Sequence, residues 1–170
     1  LGKTILELGG NNAIIVTPSA DLQIAIPGIV FGSVGTCGQR CTTTRRLIIH
    51  ESIYDQVKTQ LVRAYQQLDS RIGNPLSEGI LIGPMIDAEA VKTFQSALEQ
   101  IKKQGGTILT GGESVQNGPS GLYVRPVLAE AENHWEIVQE ETFGPLLYLI
   151  RYQNFDDALK PVSYTHLTLP

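Results

Sequence analysis

Two cysteines four residues apart, Cys37 and Cys41, lie in a segment rich in glycine and polar side chains. It reads Gly35-Thr36-Cys37-Gly38-Gln39-Arg40-Cys41 and continues as Thr42-Thr43-Thr44. Gly35 and Gly38 let the backbone come close to a ligand. Arg40 sets a positive charge beside the next residue's sulfur, a setting that favours thiolate attack on carbon. A buried structural cysteine is the other reading, and spacing alone does not choose between Cys37 and Cys41. The spacing fits neither the Cys-x-x-Cys of redox and zinc sites nor a disulfide scaffold. His50, His134 and His166 are scattered and complete no ligand set, so no metal site is expected.

Two carboxylates join the cysteines. Glu7 stands between Leu6 and Leu8 in an otherwise apolar run, where a charge is costly without a task or a partner. Desolvation there would suit it to general-base work near neutral pH; simple alternation, with Glu7 facing water, is the competing reading. Glu141 belongs to Glu140-Glu141-Thr142-Phe143-Gly144-Pro145. That stretch reads either as a rigid loop where a carboxylate meets a sugar hydroxyl or as a solvated turn into the strand that follows.

The elements that must position these residues alternate in period. Residues 5–8 and 13–16 read as short buried strands around the turn Gly9-Gly10-Asn11-Asn12. Ser19 or Asp21 caps a helix towards Phe31, with Pro27 expected to bend it or delay its start. Residues 46–50 form a strand. Ser52 with Asp55 resembles an N-terminal cap for a helix whose apolar face is Ile53, Val57, Leu61, Tyr65 and Leu68. A Gly/Pro-rich connector spans 72–85. Val91, Phe94, Leu98 and Ile101 mark the clearest helix, closed by Lys102-Lys103 and stopped by Gly105-Gly106. Strands are expected at 107–110, 122–128 and 146–152, a loop at 111–120 and a short helix at 155–159. Strand and helix in alternation argue an α/β layered sheet.

The 170 residues are 42% apolar and 18% charged, with 17 Gly and 9 Pro, an ordinary composition for one folded domain. That much apolar surface excludes disorder as the main state. A net charge of −4 offers no basic face to phosphates, so nucleic acid is not an expected partner. No apolar run approaches a membrane span, and no membrane association is expected. Sparse cysteine suits a reducing compartment. The chain opens on Leu1 and its only methionine is Met85, which reads as an internal piece of a longer protein.

Together, Glu7-Leu8-Gly9-Gly10, Gly38-Gln39-Arg40-Cys41 and Glu141-Thr142-Phe143-Gly144-Pro145, in that order, resemble the aldehyde dehydrogenase superfamily. Cys41 follows Glu7 by 34 residues, which is similar to that family's spacing, and Ile82-Gly83-Pro84 and Arg125-Pro126 agree. Arg40 directly before the cysteine and three threonines after it resemble the antiquitin branch, which acts on α-aminoadipic semialdehyde. The resemblance implies an α/β three-layer catalytic domain of the aldehyde dehydrogenase fold, truncated. Its expected parts are 1–10 as the end of the NAD-binding domain and junction, 11–160 as an incomplete catalytic domain and 161–170 as a tail foreign to the family. A reading-frame or assembly artefact would account for that tail.

The resemblance further implies NAD(P)-dependent oxidation of an aldehyde to an acid, with a semialdehyde as substrate. It makes Cys41 the nucleophile, Glu7 the activator of the hydrolytic water, and Leu8, Gly9, Glu141 and Phe143 the contacts to NAD, NADP not being excluded. Arg40 would pair with an acidic substrate's carboxylate. A homotetramer in the cytoplasm, or in mitochondria for a eukaryotic source, is also implied. The family's pyrophosphate-binding helix start, ribose lysine and oxyanion asparagine have no counterpart here, so the isolated chain is expected to be inactive. The alternatives are a catalytically silent relative and a dithiol redox module using Cys37 and Cys41.

Overall fold

A computed structural model describes residues 2–5, 9–115 and 120–160. Five strands, β1 (Asn12–Val16), β2 (Thr44–His50), β3 (Thr107–Thr110), β4 (Val127–Glu130) and β5 (Leu146–Tyr152), form one mixed sheet in the order β1-β2-β5-β4-β3. The pairs β1–β2, β2–β5 and β5–β4 are parallel; β3 joins β4 antiparallel at the edge. On β5, Leu146, Leu147, Tyr148, Leu149 and Ile150 are all buried. Five consecutive buried residues require cover on both faces of the sheet, as parallel strands usually have. The fold is therefore α/β with a sandwiched mixed sheet.

The helices are α1 (Leu22–Val34), α2 (Tyr54–Gln66), α3 (Ala88–Lys103), α4 (Glu136–Gln139) and α5 (Phe155–Leu159). Asp21 caps α1 by accepting from the Gln23 amide at 2.9 Å. The helix begins five residues before Pro27 and runs through it, so the proline does not delay its start. On α3, Asp87 caps the Ala90 amide at 2.8 Å, and Phe94, Ala97, Leu98 and Ile101 face the core. The face expected on α2 is also in place, with Val57, Leu61 and Tyr65 buried.

Two expectations are corrected, and a third falls mostly outside the described residues. Ser52 does not cap α2, because a 3-10 turn over Glu51–Ile53 intervenes. There His50 Nδ1 accepts from the Ser52 amide, and Asp55 pairs with Arg151 and Lys58 instead. The strand expected at 122–128 starts only at Val127; before it, pairing is limited to a bridge between Val124 and Ser114 and a bond from Gly112 N to Arg125 O, and Pro126 has no N–H to continue the ladder. Of the strand expected at 5–8, Ile5 is irregular and residues 6–8 lie outside the described residues, as do 116–119 and the tail 161–170. Among the described residues no helix is long and apolar enough to cross a membrane.

Candidate active site

Parallel pairing brings the sequence motifs together. β1, β2 and β5 are neighbours running the same way. The segments that lead into them, 9–11, 35–43 and 140–145, therefore meet at one end of the sheet although they are far apart in the chain. Gly9, Cys41, Glu141 and Phe143 all belong to these segments. Glu7 and Leu8 precede the first and lie outside the described residues.

The cysteine segment has unusual backbone. Thr36, Cys37 and Gly38 have φ of 52°, 55° and 65°, three successive residues in the left-handed region. Each non-glycine residue there costs about 1–2 kcal/mol, so the conformation needs outside support. Gln39 supplies part of it: its side-chain amide donates to the carbonyls of Thr36 and Pro84, both at 3.2 Å, and its Oε1 accepts from the Ile86 amide at 2.8 Å. Cys41 follows in a turn, partly exposed, and its thiol is free. Asn12, at the start of β1, holds this turn by donating Nδ2 to the carbonyls of Cys41 and Thr43, at 2.6 and 3.2 Å.

The two cysteines have opposite environments. Cys37 is fully buried, with Sγ 3.6 Å from Met85 Sδ, and burial pushes its thiol up to about 12. At neutral pH it carries its proton and is a poor nucleophile. Of the two, only Cys41 combines exposure with a place beside the other motifs.

Arg45 ties the cysteine turn to the Glu141 loop, a role that no sequence motif signalled. It is 1% exposed on β2. Nη1 donates to Gly38 O at 3.2 Å, Nη2 to Arg40 O at 3.0 Å, and Nη2 and Nε reach Glu141 Oε1 at 2.7 and 3.3 Å. Its guanidinium also lies over the Phe143 ring, 5.2 Å from the centroid. Phe143 is 45% exposed. Glu141 Oε2 faces Gly9 so closely that a Cβ on residue 9 would overlap it. A cavity of about 230 Å³ borders Glu141 and Thr142 opposite Lys92, Thr93 and Ser96 of α3. The neighbouring Arg46 points to the other face of β2. It bonds Asn11 O through Nε and Nη2 and Asn133 Oδ1 through Nη1, and is fully buried. A charged pair at the head of an apolar β run, where burial demands partners, is the one feature that could have drawn attention to these arginines, without revealing their role.

Arg40 lies against its own loop. Nε donates to Thr36 Oγ1 at 2.8 Å, and the guanidinium stacks over Phe31, 5.5 Å from the ring centroid. Among the described residues, no three His, Cys, Asp or Glu side chains are grouped as a metal ion would need.

The sequence profile of the aldehyde dehydrogenase family matches residues 1–169. Aldehyde dehydrogenase family 7 member B4 of Arabidopsis thaliana is 49% identical over 158 residues, 93% of this chain and 30% of its own length. The α-aminoadipic semialdehyde dehydrogenase of Mus musculus is 47% identical over 160 residues, 94% of this chain and 29% of its own length. The chain thus spans about 30% of the length of these relatives. Among solved structures, HpcC of Thermus thermophilus superposes with TM-score 0.87 at 33% identity, covering 94% of this chain and 32% of that one. Betaine aldehyde dehydrogenase of Staphylococcus aureus, crystallised with NAD+, superposes with TM-score 0.86 at 27% identity, covering 93% and 32%. With the profile spanning nearly every residue, and the same fold recurring in crystal structures of aldehyde dehydrogenases, the chain belongs to the aldehyde dehydrogenase family.

Proposed function

We propose that this chain supplies the cysteine-bearing part of an NAD(P)-dependent dehydrogenase that converts an acidic semialdehyde, of the aminoadipate semialdehyde type, to a carboxylic acid. Residues 11–160 are its catalytic portion and 1–10 the junction to a cofactor domain. The observation that carries this is the meeting of Cys41 with Gly9, Glu141 and Phe143 at one end of three neighbouring parallel strands.

Fit to a dinucleotide is supported by two features. A Cβ on residue 9 would overlap the Glu141 carboxylate where Arg45 now holds it, and Phe143 presents an exposed aromatic face beside it. Glu141 would accept a ribose hydroxyl, and Gly9, Leu8 and Phe143 would border the nicotinamide end. When bound, NAD or NADP supplies the two-electron oxidant.

Cys41 Sγ attacks the aldehyde carbon and holds it as a thiohemiacetal, its own N–H helping to hold the oxyanion. After oxidation Cys41 carries the acyl group as a thioester, and Glu7 takes a proton from the water that hydrolyses it. Arg40 receives the substrate's distal carboxylate. Thr36 already takes Nε and Nη2 lies against Gly35, so the carboxylate would meet the outer edge of the guanidinium.

Burial of Cys37 against Met85 weighs against the dithiol reading, because exchange needs an ionised attacking thiol. The test is NADH formation by a protein of the relatives' length carrying this segment. Cys41→Ala should lower turnover about a thousandfold or more, while Cys37→Ala leaves it nearly intact. Equal activity in wild type and both variants, or none in wild type, would remove the proposal; the latter outcome favours a silent relative.

A further inference from the structure

We propose that Arg45 is a positioning residue that locks the Cys41 turn to Glu141, so that the nucleophile and the carboxylate assigned to the cofactor move as one unit. This rests on the roles given to Cys41 and Glu141 above. A buried guanidinium must be paired on all sides, and the partners of Arg45 come from two loops that are remote in sequence. The cysteine turn offers two carbonyls, Gly38 O and Arg40 O, the latter immediately ahead of Cys41. The other loop offers one carboxylate oxygen, Glu141 Oε1, and the Phe143 ring. Neither loop alone satisfies the fork. A lysine, with one nitrogen, could not span the three acceptors. Arg46 cannot substitute, because it projects to the opposite face and is held by Asn11 and Asn133.

The arrangement also fixes which carboxylate oxygen is engaged: Arg45 takes Oε1, and Oε2 is the oxygen left against Gly9. A shift of Glu141 would therefore loosen the fork, and with it the two carbonyls that set the turn before Cys41.

The test is amide hydrogen exchange on the 170-residue chain, comparing wild type with Glu141→Gln, Arg45→Met and the double variant. Protected amides in the turn include Gln39 N, bonded to Thr36 O at 3.2 Å, and Thr43 N, bonded to Arg40 O at 3.1 Å. Glu141→Gln should speed exchange across residues 39–43 about tenfold, the effect of weakening one charge-assisted bond. The double variant should exchange no faster than Arg45→Met alone. Should Arg45→Met fail to fold, Glu141→Gln carries the test, since that side chain is partly exposed. Unchanged exchange at 39–43 in Glu141→Gln, or simple additivity, overturns the coupling.

A parallel measurement separates this coupling from the enzymatic reading. In the longer protein, Arg45→Lys should weaken NAD binding, read by fluorescence titration, and also lower kcat for the aldehyde. A loss confined to stability overturns the positioning role, whereas absence of any wild-type turnover removes the enzymatic reading and leaves the exchange result to stand by itself.

Discussion

Gly38 packs against Gly144 so tightly that a Cβ on residue 38 would overlap the Gly144 carbonyl and lie 2.6 Å from Pro145 N. The cysteine segment and the Phe143-Gly144-Pro145 loop thus touch backbone to backbone, and φ at Gly38 is +65°. Gly38→Ala should destabilise the chain by about 2–4 kcal/mol, combining left-handed strain with an overlap that only backbone movement relieves. Urea unfolding with an unchanged m-value would measure this; a loss below about 1 kcal/mol would mean the two loops separate easily.

Cys37 should make stability fall with alkali. Its folded thiol is raised from 9.0 to about 12 by burial. The sign follows from proton binding: below pH 9 both folded and unfolded thiols are protonated and the full contribution is present. Above pH 9 the unfolded thiol loses its proton while the folded one keeps it, so stability drops towards pH 12 by up to about 1.4 kcal/mol per pH unit. Buried Tyr65 and Tyr148 are also raised from 10.0 by burial and add to the loss at higher pH. Tyr54 is raised in the same way, and the unfolded tyrosines already begin to ionise below pH 10, so the share of the thiol between pH 9 and 10 is read as the difference between wild type and Cys37→Ala. Cys37→Ala should flatten the decline there, and a decline as steep as wild type would place the proton elsewhere. In the same experiment iodoacetamide should label Cys41 in the folded chain and Cys37 only after unfolding.

Much of this was legible in the sequence where one physical pattern dominated. On α3 the spacing of Phe94, Leu98 and Ile101 fixed the buried face. On α1 the Asp21 cap and the helix were legible but a buried face was not, because Leu22, Ile24, Ala25, Ile26, Ile29, Val30 and Phe31 surround the helix with apolar side chains. α4 is four residues long, too short for any period, yet it buries Ile137 and Val138 and offers the Val138 carbonyl to Asn11 Nδ2. At the site, residue types named Cys41 and Glu141 as candidates, but nothing local could show that their loops enter adjacent parallel strands. Arg45 was hidden by the ordinary expectation that arginine lies at the surface, and its role exists only once both loops are in place.

Asn12 makes a discriminating probe of the turn itself. Its Nδ2 donates to two carbonyls, those of Cys41 and Thr43. Asn12→Ala removes both bonds and should cost about 1–2 kcal/mol. Asn12→Asp should cost more, although it is nearly the same shape, because it turns a donor into an acceptor aimed at two carbonyl oxygens. Thermal melts of the three chains give the order wild type, Ala, Asp. Asp as stable as Ala would show that the amide does not hold the turn.

Arg40 tests the acidic-substrate reading. Its guanidinium is anchored by one neutral bond to Thr36 Oγ1 and by stacking on Phe31, so Arg40→Ala should alter stability by no more than about 1 kcal/mol. Its effect on catalysis in the longer protein should depend on the substrate. For a semialdehyde with a distal carboxylate, KM should rise about tenfold or more, as for loss of a charge-assisted bond, with kcat less affected. For a neutral aldehyde of similar length KM should stay level. Arg40→Lys should restore only part of the difference, since an ammonium keeps the charge and loses the planar fork. If both substrates respond equally, Arg40 serves only to brace the left-handed run at Thr36 and Cys37 and has no part in reading a substrate carboxylate.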